Sequence, residues 1–100
     1  MSRKIIFKPS ARLEFDEAIA WYERQLPGLG AKLEAEANSV LERIKENPER
    51  FPRVTESVRK ARLKKFRFYS IYFTQAPDWI GVVAVFHGKR DPEKLWRRLK

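Results

Sequence analysis

Apolar residues along this chain follow two different periods, one in each half. Phe15, Ala18, Ile19, Tyr22 and Leu26 recur every three or four positions, and Leu33, Ala37, Val40, Leu41 and Ile44 repeat the pattern. Such spacing predicts two amphipathic helices, over about residues 11–26 and 31–46. Pro9-Ser10 precedes the first, which makes Ser10 the expected N-cap, with Asp16 and Glu17 early in the helix where negative charge suits the dipole. Pro27-Gly28-Leu29-Gly30 separates the helices, a connection so short that they must pack antiparallel. Asn47-Pro48 ends the second, because a residue before proline avoids the helical region.

From Phe51 onward the period shortens to two. Ala61 and Leu63 point one way and Lys60, Arg62 and Lys64 the other, so residues 58–64 read as a strand with a basic outer face. Residues 66–74 read as the next strand and Ala76-Pro77-Asp78 as a turn. Trp79 to Phe86 is apolar almost throughout, as in a central strand covered on both faces. Residues 3–8 and Arg53-Val54 are short candidate strands, and Glu93 to Leu99 a short final helix. The predicted fold is α+β: a β-α-α hairpin, then a three- to four-stranded antiparallel sheet with the helices on one face, and a short C-terminal helix. One hundred residues without an internal repeat or linker predict one domain spanning residues 1–100.

Charge separates the same two halves. Residues 1–50 hold 9 basic and 9 acidic side chains, whereas residues 51–100 hold 13 basic and 4 acidic ones, so the whole net charge of +9 lies in the predicted sheet. A sheet of this kind attracts phosphate or an acidic protein segment, through a field that weakens with salt. With no cysteine, disulfides and thiolate metal sites are excluded, and one histidine cannot build a histidine metal cluster. No apolar run is long enough to span a membrane, and the apolar stretch at the N-terminus is too short for a signal peptide. The expectation is a cytoplasmic protein without a cofactor: no glycine-rich phosphate loop and no metal-ligand spacing are present.

Four segments carry a resemblance when taken in order. They are Trp21-Tyr22-Glu23 with Leu26-Pro27-Gly28-Leu29-Gly30; Asn47-Pro48-Glu49-Arg50-Phe51-Pro52; Tyr69-Ser70-Ile71-Tyr72 after the basic strand; and Val85-Phe86-His87-Gly88-Lys89-Arg90-Asp91-Pro92 with Trp96 beyond. Over nearly its whole length the chain resembles the RelE/ParE superfamily of type II toxin–antitoxin toxins, nearer the ParE-like, plasmid-stabilization branch. One departure is Phe66-Arg67-Phe68-Tyr69, where that branch commonly has Phe-Pro-Tyr. The resemblance implies a growth-inhibiting toxin neutralised by an acidic antitoxin, with DNA gyrase as the favoured target. Operator DNA would be met only through the antitoxin complex. The alternatives are a ribosome-dependent, metal-independent mRNA endoribonuclease of the RelE-like type, and a degenerate member that binds antitoxin but no longer harms cells.

The ribonuclease alternative can be weighed residue by residue. Cleavage by 2′-hydroxyl attack needs a base, a phosphate stabiliser and an acid. RelE-like toxins resemble one another in a Lys-x-Lys strand, an arginine on the next strand, a late arginine and a C-terminal tyrosine. Lys60 and Arg62 match the first element and Arg90 the late arginine, but Ser70 stands where the strand arginine belongs and Trp96 where the tyrosine does. Trp96 cannot exchange a proton usefully. The catalytic candidates are therefore His87, Arg90, Arg62 and Lys60, with His87 the one side chain suited to acid–base work near neutral pH. Candidates for target or antitoxin binding are Lys60, Arg62, Lys64, Lys65, Arg67, Arg90 and Trp96. Each has a plainer reading: His87 ordering a loop through its imidazole, the basic side chains as a solvated face, and Arg90 pairing with Asp91 or a neighbouring carboxylate. Trp21, Tyr22 and Trp79 are expected in the core, and Trp96 is expected to pack the final helix on the sheet. Asp16 and Glu17 are assigned no catalysis.

Overall fold

The computed structural model describes residues 3–90 and 92–99. The order is β1 (Lys4–Phe7), α1 (Pro9–Gln25), α2 (Leu29–Glu46), a 3-10 turn at Pro48–Arg50, β2 (Arg59–Arg62), β3 (Tyr69–Gln75), β4 (Trp79–His87) and α3 (Pro92–Leu99). The sheet order is β1-β4-β3-β2. β2, β3 and β4 pair antiparallel, while β1 lies parallel to β4 with Ile5 opposite Ile80, so the sheet is mixed. β4 is therefore central, as its apolar sequence requires.

Both long helices form where the apolar stripes place them, with small shifts at their ends. α1 begins at Pro9, whose fixed φ suits the first helical position, and Lys8 rather than Ser10 is the N-cap. The Ser10 hydroxyl instead accepts a hydrogen bond from Arg98. Leu33, Ala37, Val40, Leu41 and Ile44 of α2 are all buried, but Leu26 is exposed at the end of α1. Gly28 has φ 91°, a left-handed turn that glycine adopts without strain. The Glu23 carboxylate then accepts the Gly28 and Gly30 N–H groups, supplying the acceptors that the start of α2 lacks. A side chain at position 30 would place its Cβ 2.5 Å from the Ile19 carbonyl oxygen, so the close approach of the two helices requires glycine there.

The main core packs α1 and α2 on one sheet face around Phe15, Leu33, Ile44, Ile71, Phe73 and Val82. A second cluster lies on the opposite face: Val58, Tyr72, Ala84 and Phe86 with Leu95 and Leu99 of α3. The expectation of all helices on one face thus holds for α1 and α2 and fails for α3. Leu95 and Leu99 are four residues apart and give that short helix its own apolar stripe. The expected aromatic core is also smaller than the sequence suggested. Trp21, Trp79 and Trp96 are 42%, 40% and 48% exposed, and only Tyr22 packs against the core. Arg53-Val54 contributes one isolated bridge, Arg53 to Arg59, rather than a strand.

β4 carries an irregularity after its last pairing with β1. The register with β3 slips between Tyr72 and Phe73, leaving Val83 as the extra residue. Beyond Val82, two side chains from the helices take the place of a neighbouring strand. Glu14 of α1 accepts the Val85 N–H at 3.0 Å, and Arg98 of α3 donates to the Val83 carbonyl at 2.6 Å. The two side chains also form an ion pair with each other, about one-fifth to one-quarter exposed. No helix is long and apolar enough to cross a membrane among the described residues.

Candidate functional site

The end of β4 and the turn that follows it organise the candidate residues. His87 closes the strand opposite Tyr69. Its Nδ1 accepts the Lys89 N–H at 3.1 Å, and its carbonyl accepts the Arg90 N–H at 3.1 Å, so one residue anchors the whole turn. The loop-ordering role expected of the imidazole is the geometry observed. An accepting Nδ1 puts the proton of the neutral ring on Nε2. Burial first, then the positive charges of Arg90 and Lys89, lower the His87 pKa below its ordinary 6.5. At neutral pH the ring is therefore uncharged and offers a donor rather than a base at Nε2.

Two clefts flank this turn. A groove of about 210 Å³ between the sheet and α3 is lined by Lys60, Tyr72, His87, Arg90 and Trp96, together with Leu95 and Leu99. Lys60 lies opposite Tyr72 in the register and its Nζ stands 5.9 Å from the Tyr72 ring centre. A larger cleft of about 520 Å³ opens on the other side, between α1 and the same turn, and is lined by Glu17, Trp21, Arg24, Tyr69, His87 and Arg90 among others. His87 and Arg90 line both. Tyr69 packs edge-on to His87 at 5.1 Å, and burial raises its pKa above 10 against the opposing pull of Arg90, so its hydroxyl stays protonated. Burial likewise raises Tyr72.

The structure thus gathers Lys60, His87, Arg90 and Trp96, which lie far apart in sequence. It does not bring Arg62, Lys64, Lys65 and Arg67 to either cleft. Arg62 is exposed and donates from Nε to the Arg67 carbonyl at 3.0 Å, closing the β2–β3 connection. The Lys64 and Lys65 N–H groups bond to the carboxylate of Glu36 on α2, which fixes the connection while both side chains stay exposed. Ser70, in the position of the missing arginine, is 5% exposed and contributes no charge. Trp96 does not pack the final helix, a task that falls to Leu95 and Leu99 while its indole faces solvent at the groove. Asp91, the expected partner of Arg90, lies outside the described residues.

Sequence reasoning missed three contributors: Tyr69, the Glu14–Arg98 pair, and Phe68. Phe68 is 40% exposed and carries the Lys89 ammonium 4.4 Å from its ring centre. Only the helical spacing of Glu14, one position before Phe15, gave a signal, by placing it beside the buried stripe. Among the described residues no three acidic, histidine or cysteine side chains come together as metal ligands.

Comparison with known proteins agrees with this architecture. The profile of the family described as the ParE toxin of the type II toxin–antitoxin system, parDE, matches residues 5–92. The chain belongs to the ParE toxin family. No curated protein matches the chain. Among solved structures, a chain of the chromosomal ParDE toxin–antitoxin system from P. aeruginosa superposes with a TM-score of 0.72. It covers 86% of this chain and 96% of its own, at 13% identity, a likeness of fold alone. As a ParE-family toxin of a two-component system, the protein has an antitoxin as its partner.

Proposed function

We propose that this ParE-family toxin inhibits growth by binding DNA gyrase, not by cutting RNA, and that an acidic antitoxin segment neutralises it. The observation that carries the choice is the state of the turn at His87. The one side chain suited to acid–base work spends Nδ1 on the Lys89 N–H and is held neutral. In the groove beside α3 the other titratable groups among the described residues are Lys60, Arg90 and the protonated Tyr72. The carboxylates Glu14 and Glu17 line the cleft on the other side, where Glu14 is engaged by Arg98 and the Val85 N–H. The groove set binds anions well and holds no carboxylate to deprotonate a 2′-hydroxyl. The exposed indole of Trp96 beside Arg90 supplies the amphipathic aromatic and guanidinium pair that protein interfaces favour.

The deciding experiment runs two assays on one preparation. Purified gyrase should lose supercoiling activity, and mRNA in a translating extract should stay intact. Ribosome-bound mRNA cut between codon positions, with gyrase unaffected, overturns the proposal in favour of the ribonuclease. Trp96→Tyr, which restores a proton-exchanging side chain at the groove, is expected to gain no cleavage.

Neutralisation has its own signature. The antitoxin tail is taken to cross the α1–α2 hairpin and the basic sheet, with acidic residues meeting Lys60, Arg62 and Lys64. Charge steering then makes association fast at low salt and slower, by about tenfold or more, at high salt. An association rate indifferent to salt would assign the interaction to apolar contacts instead.

A further inference from the structure

Six cationic side chains crowd one end of the sheet. Arg62 ends β2, Lys64, Lys65 and Arg67 come from the β2–β3 connection, and Lys89 and Arg90 from the turn after β4. The two loops are joined: the Gly88 N–H donates to the Phe68 carbonyl, and the Lys89 ammonium lies over the Phe68 ring. All six side chains are exposed, and among the described residues none of them forms an ion pair. The carboxylate hydrogen-bonded to this end, Glu36, is occupied by backbone N–H groups of Lys64 and Lys65.

We propose that this end of the sheet binds the phosphate backbone of double-helical DNA directly and without sequence preference. The choice among polyanions follows from what surrounds the charges. A protein partner needs an apolar anchor at the centre of its interface. Here the exposed aromatic, Phe68, has Lys89 over its ring at 4.4 Å, Arg67 at 5.8 Å and His87 at 5.5 Å. The same crowding denies a single strand the aromatic faces on which its bases would stack. What remains is an array of cations on two fixed loops, and a duplex, with about one charge per 1.7 Å, is the polyanion that needs nothing more. The loop backbones are fixed by Glu36, the Arg62–Arg67 bond and the His87 turn. The surface shares Arg62 and Lys64 with the proposed antitoxin contact and Arg90 with the proposed target contact, so the variant tested below alters only Lys65, Arg67 and Lys89.

The test is fluorescence anisotropy of a short labelled DNA duplex against the isolated protein over a range of salt. Each neutralised phosphate adds about −0.9 to the slope of log affinity against log salt, so a slope of about −3 to −5 is expected. The triple variant Lys65→Gln, Arg67→Gln, Lys89→Gln should lose about tenfold or more in affinity and flatten the slope by about 2–3. Lys4→Gln, Lys8→Gln, Lys32→Gln removes the same charge from exposed positions elsewhere and should stay within about twofold of wild type. Circular dichroism confirms that both variants fold. Equal losses in the two variants overturn the proposal, because net charge alone would then explain binding. So does tighter binding of single-stranded DNA, duplex RNA or polyglutamate than of the DNA duplex.

Discussion

Arg90→Ala is expected to abolish growth inhibition while the protein still folds and still binds its antitoxin. The residue follows directly from the end of the central strand, is exposed, and lines both clefts beside His87. Its backbone N–H, not its side chain, closes the turn to the His87 carbonyl, so alanine keeps the loop. The side chain's cost to stability is then that of a surface charge, ~0–1 kcal/mol. Truncating a central arginine anchor in a protein interface commonly costs more than about 2 kcal/mol, or about thirtyfold in affinity. Growth curves and thermal melting of the variant check the two halves of the expectation. A protein that melts like wild type and is equally toxic would remove Arg90 from the functional surface. One that is harmless because it no longer folds would assign Arg90 a structural role instead.

Glu14→Ala should produce the largest loss of stability of any charged-residue change in this chain. The carboxylate accepts the Val85 N–H, pairs with Arg98, and so completes the edge of β4 that β1 leaves bare. Its removal strands a guanidinium that is three-quarters covered and an N–H that has no strand to bond. Breaking such a pair from one side costs about 3 kcal/mol, which for a domain of this size lowers Tm by about 12 °C or more. The change also loosens α3, because it removes one of the three ties, to Ser10, Glu14 and Val83, that Arg98 makes from that helix. Glu14→Gln keeps an acceptor for Val85 and should cost less than half as much. A loss below about 0.5 kcal/mol in Glu14→Ala would reduce the contact to an ordinary surface ion pair. A double-mutant cycle with Arg98→Met, read by urea unfolding, separates the pair energy from the edge hydrogen bonds.

The amphipathic helices, the basic outer face of β2 and the central place of β4 were legible because each rests on local periodicity. Leu33 to Ile44 can bury themselves only on one side of a helix, and Trp79 to Phe86 can be dry only between two covered faces. Family membership was legible in the same local way, from short segments whose order survives without knowledge of contacts. The candidate residues were named from charge and position, so the sequence alone could not say which of them meet. Lys60 and Arg90 lie 30 positions apart and become neighbours of one groove through the β2-β3-β4 register, whereas Lys64 and Lys65, much nearer Lys60, are carried away to α2 by Glu36.

What the amino-acid sequence determined by itself was the set of elements, their amphipathic faces and the concentration of positive charge behind Phe51. The tertiary structure decided that α3 covers the second face of the sheet, that Trp21, Trp79 and Trp96 stay at the surface, and that His87 is a neutral hinge of a turn. The physical reason is that burial, hydrogen-bond partners and protonation are properties of an environment. Glu14 became an edge partner for β4 only because a bulge at Val83 and a helix 84 residues away placed a bare N–H and a guanidinium around it.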